Sequence, residues 1–185
     1  MNTNRVIEAT RKWLDDVVIE HNFCPFARFV RHPERIHYAV CQEASDEAIL
    51  TQLLQECQRL DEQPGIATTL LMVPAGYDDF EGYLDLLTIA EQFLHSWGYE
   101  GIYQLASFHP RYVFEGEPED SPGHFTNRAP YPTFHLIREA DIERALQDYG
   151  DPDQIYQQNI ALAEEKGCPY FQALLNGCLN PSGKK

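Results

Sequence analysis

Apolar residues recur at helical spacing near the start of the chain. Val6, Thr10, Trp13 and Val17 lie three or four positions apart, with polar residues between them. Such a period places the apolar side chains on one face of a helix. It predicts a helix over residues 4–20 that buries this face against the rest of the protein.

Further helices are indicated by their capping residues. Ser45 precedes a helical run that contains Ile49, and Asp78 or Asp79 precedes another run that Gly98 ends. Short polar side chains at such positions accept hydrogen bonds from the first free backbone N–H groups of a helix. Helices are also predicted at residues 25–30, 141–149, 152–166 and 169–176, the third of these behind a capping box at residues 151–154.

Four apolar runs predict β-strands, at residues 36–41, 68–73, 102–108 and 133–138. Predicted helices separate the first three, which is typical of parallel strands joined by right-handed crossovers. The fourth follows the third without a helix, so we expect it to return antiparallel, at or near an edge. The predicted fold class is α/β: a mixed sheet of about four strands, three parallel and one antiparallel, with N-terminal and C-terminal helices packed on it. Residues 1–180 are expected to form this single domain, and residues 181–185 a disordered tail.

The segment between the third and fourth strands is the most informative part of the sequence. It has no regular periodicity, and loops of this length are uncommon in compact domains unless they are functional or disordered. Histidine, arginine, asparagine and tyrosine at its two ends argue against disorder. Ligands of open α/β sheets bind outside the carboxyl ends of the parallel strands. The antiparallel return of the fourth strand brings Asn127 and Arg128 back to His109 at that edge, whereas Arg138 is expected far down the sheet.

These positions form the candidate site. The candidates for catalysis are His109, Asn127 and Tyr131. The candidates for substrate binding are Arg128, Arg111 and His135. A histidine at a strand end suits acid–base chemistry, and the planar guanidinium of arginine suits a carboxylate or phosphate.

Each assignment has a plainer alternative. His109 is otherwise a histidine that only caps the end of its strand by hydrogen bonding. Arg128 is otherwise the partner of an acidic residue of the loop. The acidic residues available there are Glu115, Glu117, Glu119 and Asp120.

A metal site is a weaker interpretation of the same segment. Imidazole and carboxylate groups for a metal ion are present at His109, Asp120, His124 and His135, but their spacing matches no known ligand motif. We therefore predict no metal, and we expect His124, in the middle of the loop, to be a surface histidine. A single glycine, Gly76, follows the second strand, and no dinucleotide or phosphate-binding fingerprint is present, so no cofactor is predicted.

Cys24 raises a separate possibility. If it capped the short predicted helix at residues 25–30, the helix dipole and Arg28 would lower its pKa and make the thiol reactive. Its immediate neighbours Phe23 and Phe26 are apolar, however, and burial raises a thiol pKa. We expect Cys24 to be mainly structural and slow to react.

The charge of the chain limits its partners. The formal net charge is -15, which disfavours binding to nucleic acid or to an anionic membrane surface. Residues 42–104 contain a dozen acidic residues and a single Lys or Arg, at Arg59, which is typical either of solvated helix faces or of a protein-binding surface. The five cysteines form no paired spacing, and no run is long and apolar enough to span a membrane. We expect a cytoplasmic protein with reduced thiols, whose oligomeric state the sequence leaves open.

Four short segments resemble a known family. They are residues 24–27 (CPFA), 107–110 (SFHP), 126–132 (TNRAPYP) and 135–139 (HLIRE). Together and in this order they resemble the bacterial domain-of-unknown-function family 1415, with a similarity that extends from Arg11 to about Gly177. The resemblance implies a free-standing bacterial protein of this size and brings no activity, cofactor or catalytic residue.

Three function classes remain open on the sequence. The leading one is a small-molecule enzyme or ligand-binding protein, with a site at His109, Asn127 and Arg128 and, if it is an enzyme, acid–base chemistry on an anionic substrate. The second is a non-catalytic interaction module that uses the acidic surface. The third is a thiol-dependent redox protein centred on Cys24.

Overall fold

The computed structural model describes residues 1–149 and 152–180. Its helices are α1 (Thr3–Trp13), α2 (Ala27–Arg31), α3 (Asp46–Glu62), α4 (Phe80–Ser96), α5 (Glu139–Tyr149), α6 (Pro152–Lys166) and α7 (Cys168–Leu179). Its strands are β1 (Ile36–Val40), β2 (Thr68–Met72), β3 (Tyr103–Phe108) and β4 (Thr133–Arg138). A π-helical segment, Leu14–Ile19, continues α1, and a 3-10 helix, Pro122–Thr126, lies in the long loop. The α/β class predicted from the sequence is confirmed.

The predicted caps begin two of these helices. The Ser45 hydroxyl accepts a hydrogen bond from the backbone N–H of Ala48 at 3.3 Å, and the Asp79 carboxylate accepts one from Gly82 at 2.9 Å. Gly98 ends α4 with a φ of 81°, a left-handed conformation that glycine adopts without strain. Local capping chemistry therefore positions α3 and α4 as the sequence indicates.

The strand order is β1-β2-β4-β3. β1 and β2 are parallel, and β4 is antiparallel to both β2 and β3. The return strand is antiparallel as predicted. It lies near an edge but does not form the edge itself, because β4 is placed between β2 and the edge strand β3. Phe134 and Leu136 of β4 are fully buried, whereas Gln104 of β3 is exposed. The more apolar strand of the hairpin therefore occupies the interior, and the more polar one forms the edge.

The sheet separates two hydrophobic clusters. One cluster contains α1 and α7 side chains, including Trp13 and Phe171, and we call this side of the sheet the α1 face. The other contains α3 and α4 side chains, including Leu53 and Tyr83, and we call this side the α4 face. Alternate residues of every strand point to opposite faces, so the two faces carry different chemistry at the same end of the sheet.

The short helix near Cys24 differs from its prediction. α2 begins at Ala27 with Phe26 as its N-cap, so Cys24 does not cap it. The backbone N–H of Ala27 donates instead to the Cys24 carbonyl, at 3.1 Å, within a turn. The capping box predicted at residues 151–154 and the tail at 181–185 lie wholly or partly outside the described residues. Within the described residues, no helix is long and apolar enough to cross a membrane.

Candidate functional site

His109 lies at the end of β3 and faces the α4 face. Its side chain is fully buried and stacks on Tyr83, with ring centroids 5.2 Å apart. Its Nε2 lies 2.8 Å from the carbonyl of Tyr77, and its Nδ1 accepts the backbone N–H of Arg111 at 3.0 Å. This pattern requires the tautomer with the proton on Nε2. Burial lowers the pKa of His109, so the ring is neutral and both of its nitrogens have backbone partners.

His124 has a similar arrangement in the middle of the long loop. The expectation of a surface histidine is wrong, because its side chain is fully buried. Nδ1 accepts the N–H of Phe114 at 3.2 Å, and Nε2 lies 2.8 Å from the carbonyl of Pro118. The 3-10 helix that carries His124 packs on α6, which buries the ring. A loop without strand or helix ladders needs other partners for its buried backbone groups, and the two histidines supply them.

Asn127 joins the end of the loop to the outer edge of β3. Its Nδ2 donates to the carbonyl of Ser107 at 3.2 Å, and its own carbonyl accepts the N–H of His109 at 3.2 Å. Both contacts lie on the side of β3 that faces away from β4. Asn127 therefore hydrogen-bonds to the outer edge of β3 much as a short neighbouring strand would.

Arg128 is the next residue, and its guanidinium is incompletely paired. Nε donates to the carbonyl of Tyr112 at 3.1 Å, and the guanidinium carbon lies 4.8 Å from the ring centroid of Phe125. Among residues 1–149 and 152–180, no carboxylate forms an ion pair with it. The acidic loop residues suggested as its partners do not pair with it. Partial burial of the guanidinium lowers the pKa of Arg128.

Trp13 connects Arg128 to the α1 face of the sheet. The Trp13 side chain is 1% exposed, and its indole N–H donates to the Arg128 carbonyl at 2.9 Å. Its ring packs edge-on against Phe108, with centroids 5.0 Å apart, and Phe108 lies 5.9 Å from His135. The backbone of Arg128 is therefore linked through Trp13 to Phe108 and His135 on this face, and we call these four residues the Arg128 group.

His135 differs from the two loop histidines. It lies in the middle of β4, opposite Leu70 of β2 and Ala106 of β3. Within the described part of the chain, neither of its ring nitrogens has a hydrogen-bond partner. Burial lowers the pKa of His135 to about 4, so the ring is neutral at physiological pH and has a free donor and a free acceptor.

The remaining candidate residues are more dispersed. Tyr131 is 7% exposed and belongs to the core of the α1 face, where burial raises its pKa. Arg111 is exposed on the loop. Arg138 lies at the opposite end of the sheet, as predicted, where it donates to the carbonyl of Leu60 at 2.6 Å.

The prediction that His109 and Arg128 approach each other is met by their position in the sheet but not by their side chains. Both residues lie at the same end of the sheet, and the carbonyls of His109 and Tyr112 link them through the loop: Tyr112 N–H donates to His109 and Arg128 Nε to Tyr112. Their side chains, however, pack in different clusters, His109 on Tyr83 and Arg128 on Phe125. The sequence places the two residues at one end but does not reveal that the sheet separates their side chains.

Cys24 is partly buried beside the core of the α1 face. Burial raises the pKa of its thiol, and the N–H groups of Phe26 and Ala27 only partly offset this. The geometry agrees with the expectation of a slow thiol. In the described residues, no group of three or more His, Cys, Asp or Glu side chains is arranged to hold a metal ion.

Sequence reasoning assigned Trp13 to the core and overlooked its contact with Arg128. Phe125, which stacks on that arginine, was also missed. An aromatic residue three positions before an arginine is a weak signal on its own, and the tryptophan lies more than a hundred residues away. Only the packing of α1 on the end of the sheet brings these side chains together.

Comparison with known proteins gives a family and no activity. Residues 5–173 match the model of a family described as a protein of unknown function, DUF1415. No curated protein and no solved structure matches the chain. Because the match covers nearly all of the sequence, the chain belongs to the DUF1415 family.

Proposed function

We propose that this protein binds a small anionic molecule at Arg128. The observation that carries the proposal is the half-buried guanidinium, which has one carbonyl partner and no carboxylate partner among the described residues. A partly buried cation without a counter-charge is costly unless something compensates it. A carboxylate or phosphate would do so through the two Nη groups, which suit bidentate binding.

The surroundings of Arg128 suggest what else the ligand carries. Trp13 and Phe125 are each 1% exposed and support the group from within the core, so the aromatic surface open to a ligand is that of the partly buried Phe108. His135 supplies a neutral donor and acceptor. Small-molecule sites are mostly apolar with a few well-placed polar groups. An anionic group attached to an apolar or aromatic body fits this combination.

The geometry favours binding over acid–base catalysis by His109. Both nitrogens of that ring are used by backbone groups, so proton transfer would first require a backbone hydrogen bond to break. Histidines that act as general bases need a nitrogen within reach of the substrate proton. If this protein is an enzyme, His135 is the candidate histidine whose ring nitrogens have no partner among the described residues.

Cytoplasmic location is part of the same proposal. All five cysteines are free thiols, and Cys41, Cys57 and Cys178 are buried. Unpaired cysteines are typical of reducing compartments. The proposal includes neither nucleic acid nor a membrane surface as a partner, because the net charge is -15.

The test is calorimetric titration with phenyl phosphate, benzoate and inorganic phosphate. We expect phenyl phosphate or benzoate to bind, and Arg128→Gln to weaken that binding roughly tenfold or more, since hydrogen bonds to charged groups contribute about 1.5–3 kcal/mol. Arg111→Gln is the matched control, because Arg111 is an exposed arginine of the same loop. Equal affinity of the wild type and Arg128→Gln for every probe that binds would contradict the proposal, as would the absence of any binding.

A further inference from the structure

β1 has one edge without a neighbouring strand. The carbonyl of Arg35 accepts the N–H of Ala67, and the N–H of Cys41 donates to Met72, so these groups point toward β2. Backbone groups of successive residues in a strand point in alternating directions. The N–H and C=O groups of Ile36, Tyr38 and Val40 therefore point outward, away from the sheet.

These outward groups have no hydrogen-bond partner within residues 1–149 and 152–180. The other edge of the sheet differs, because Asn127 occupies the end of β3 through Ser107 and His109. Proteins usually cover or disrupt open strand edges, since they pair with any extended chain. β1 contains neither proline nor lysine and has no bulge, so of these devices only its short length limits pairing at its outer side.

A groove lies on each side of this edge. On the α1 side, a groove of about 280 Å³ is lined by Ile7, Glu8 and Arg11 together with Tyr38. On the α3 side, a groove of about 610 Å³ runs past Val40. The residues that line the second groove from the loop and α3 include Glu43, Glu47, Gln52 and Gln55. The first groove therefore borders β1 at residues 36–38, and the second borders the last residue of β1 and the loop that follows it.

The two grooves match the alternation of an extended peptide. When a peptide joins a sheet edge, its backbone pairs with the strand and its successive side chains enter opposite sides. Here one set of side chains would enter the α1-side groove, beside Tyr38 and under Arg11, whose guanidinium carbon lies 4.7 Å from the Tyr38 ring centroid. The other set would enter the α3-side groove, beside Glu43 and Glu47.

Charge identifies the occupant. The charged residues that line the α3-side groove are both acidic, Glu43 and Glu47, beside three glutamines and five small or apolar residues and without Lys or Arg. Residues 42–104 as a whole contain twelve Asp and Glu against Arg59 alone. A second copy of this chain would bring the same acids to the interface and a further net charge of -15, which opposes self-pairing. We propose that the open edge of β1 binds an extended basic peptide, with lysine or arginine at alternate positions facing α3. This site is independent of the Arg128 group and lies at the opposite edge of the sheet from β3.

The probe is a short fluorescein-labelled, acetylated peptide of alternating lysine and valine, measured by fluorescence anisotropy with the full chain. The reference probe carries glutamate in place of lysine. We expect the lysine peptide to bind and the glutamate peptide not to bind. Methylation of the peptide nitrogens that face β1 should abolish binding, because it removes the backbone donors while leaving the charge unchanged.

Val40→Pro tests the edge itself. The Val40 N–H points outward, so proline removes a donor from the site without breaking the ladder to β2. Ser107→Pro is the matched control, because Ser107 has its outward groups on the other edge of the sheet. We expect Val40→Pro to weaken the lysine peptide at least roughly tenfold, as expected when a buried backbone partner is lost, and Ser107→Pro to leave binding unchanged.

Glu47→Gln tests the charge of the groove. Glu47 lies in the first turn of α3 and is exposed, and Glu81→Gln makes the same change in the first turn of α4. We expect Glu47→Gln to weaken binding roughly two- to fivefold, the scale of an exposed charge pair, and Glu81→Gln to have no effect.

Three outcomes would overturn the proposal. One is equal binding of the lysine peptide to wild type and Val40→Pro when both have native circular dichroism spectra. That result would mean that the peptide binds by charge attraction alone and does not pair with β1. Another is equal binding of the lysine and glutamate peptides. The third is a dimer in sedimentation analysis that Val40→Pro dissociates and that excludes the peptide, which would assign the edge to a second copy.

Discussion

Two sets of polar side chains, in the long loop and on the neighbouring part of the sheet, differ in how completely their hydrogen bonds are satisfied. On the α4 face and in the loop, His109 and His124 are fully buried, and each ring nitrogen is matched with a backbone group. In the Arg128 group, the guanidinium has a single carbonyl partner, and the described residues provide His135 with none. We interpret His109 and His124 as structural residues that hold the loop in place. We interpret Arg128 and His135 as the residues that are available to bind a ligand.

The difference shows why residue type alone does not locate a site. All four side chains are of kinds that bind ligands, and three of them lie in or beside the same loop. Buried polar groups are normally satisfied within the fold. A functional assignment therefore depends on which of them the fold leaves unsatisfied, and only the packing determines that.

The largest effect is expected from His109→Phe. The substitution keeps the ring but leaves the Tyr77 carbonyl and the Arg111 N–H without partners. Each unsatisfied buried group costs about 1–3 kcal/mol, so for the two groups we expect the free energy of unfolding to fall by about 2–6 kcal/mol. Urea denaturation measures it, with His95→Phe as the exposed control. A loss below about 1 kcal/mol would show that the hydrogen bonds of His109 do not stabilise the fold.

The pH dependence of the free energy of unfolding should reveal the lowered pKa of His135. Its pKa is about 4 in the folded protein and 6.5 when unperturbed. Between these values the unfolded state binds more protons, so the free energy of unfolding falls as the pH is lowered from 6.5 toward 4. At about 1.4 kcal/mol for each pKa unit, the contribution of His135 is about 3 kcal/mol.

The control for that measurement is His135→Gln, which cannot take up the proton. We expect its stability to vary less over the same pH range, and the remaining slope to reflect His109 and His37, whose pKa values burial also lowers. Identical pH profiles of the wild type and His135→Gln would show that the ring is not buried in the neutral form.

The sequence predicts the framework of this protein better than its site. Periodicity and caps located α1, α3 and α4, and the antiparallel return correctly placed Asn127 and Arg128 near the end of β3. The interior position of β4 was not predictable, since a hairpin can place either strand outside, and the choice depends on what covers Phe134. Nor did the sequence show that His124 is buried, because that follows from α6 packing on the loop.

Arg128→Met should have little effect on stability, in contrast to His109→Phe. The substitution removes one hydrogen bond to Tyr112 but also an uncompensated cation, and these changes oppose each other. We expect the free energy of unfolding to change by less than about 1 kcal/mol. Urea denaturation of the ligand-free protein is the measurement. A loss as large as that of His109→Phe would mean that Arg128 is also architectural.

The smallest effect is expected at Cys24. Its thiol pKa is raised by burial despite the N–H groups of Phe26 and Ala27, so alkylation near neutral pH should be slow. Peptide mass mapping after limited treatment with iodoacetamide gives the order of labelling. Modification of Cys24 well before the other four cysteines would favour a thiol-dependent function over anion binding.

The most direct test of the central claim is a crystal structure of the protein soaked with tungstate, a phosphate analogue that anomalous scattering identifies. We predict a tungstate ion within hydrogen-bonding distance of the Arg128 Nη atoms, on the side away from Tyr112, and no ion there in Arg128→Met crystals. A guanidinium that pairs instead with a carboxylate of the protein, or tungstate bound only at other sites, would contradict the assignment of Arg128 as the ligand-binding residue.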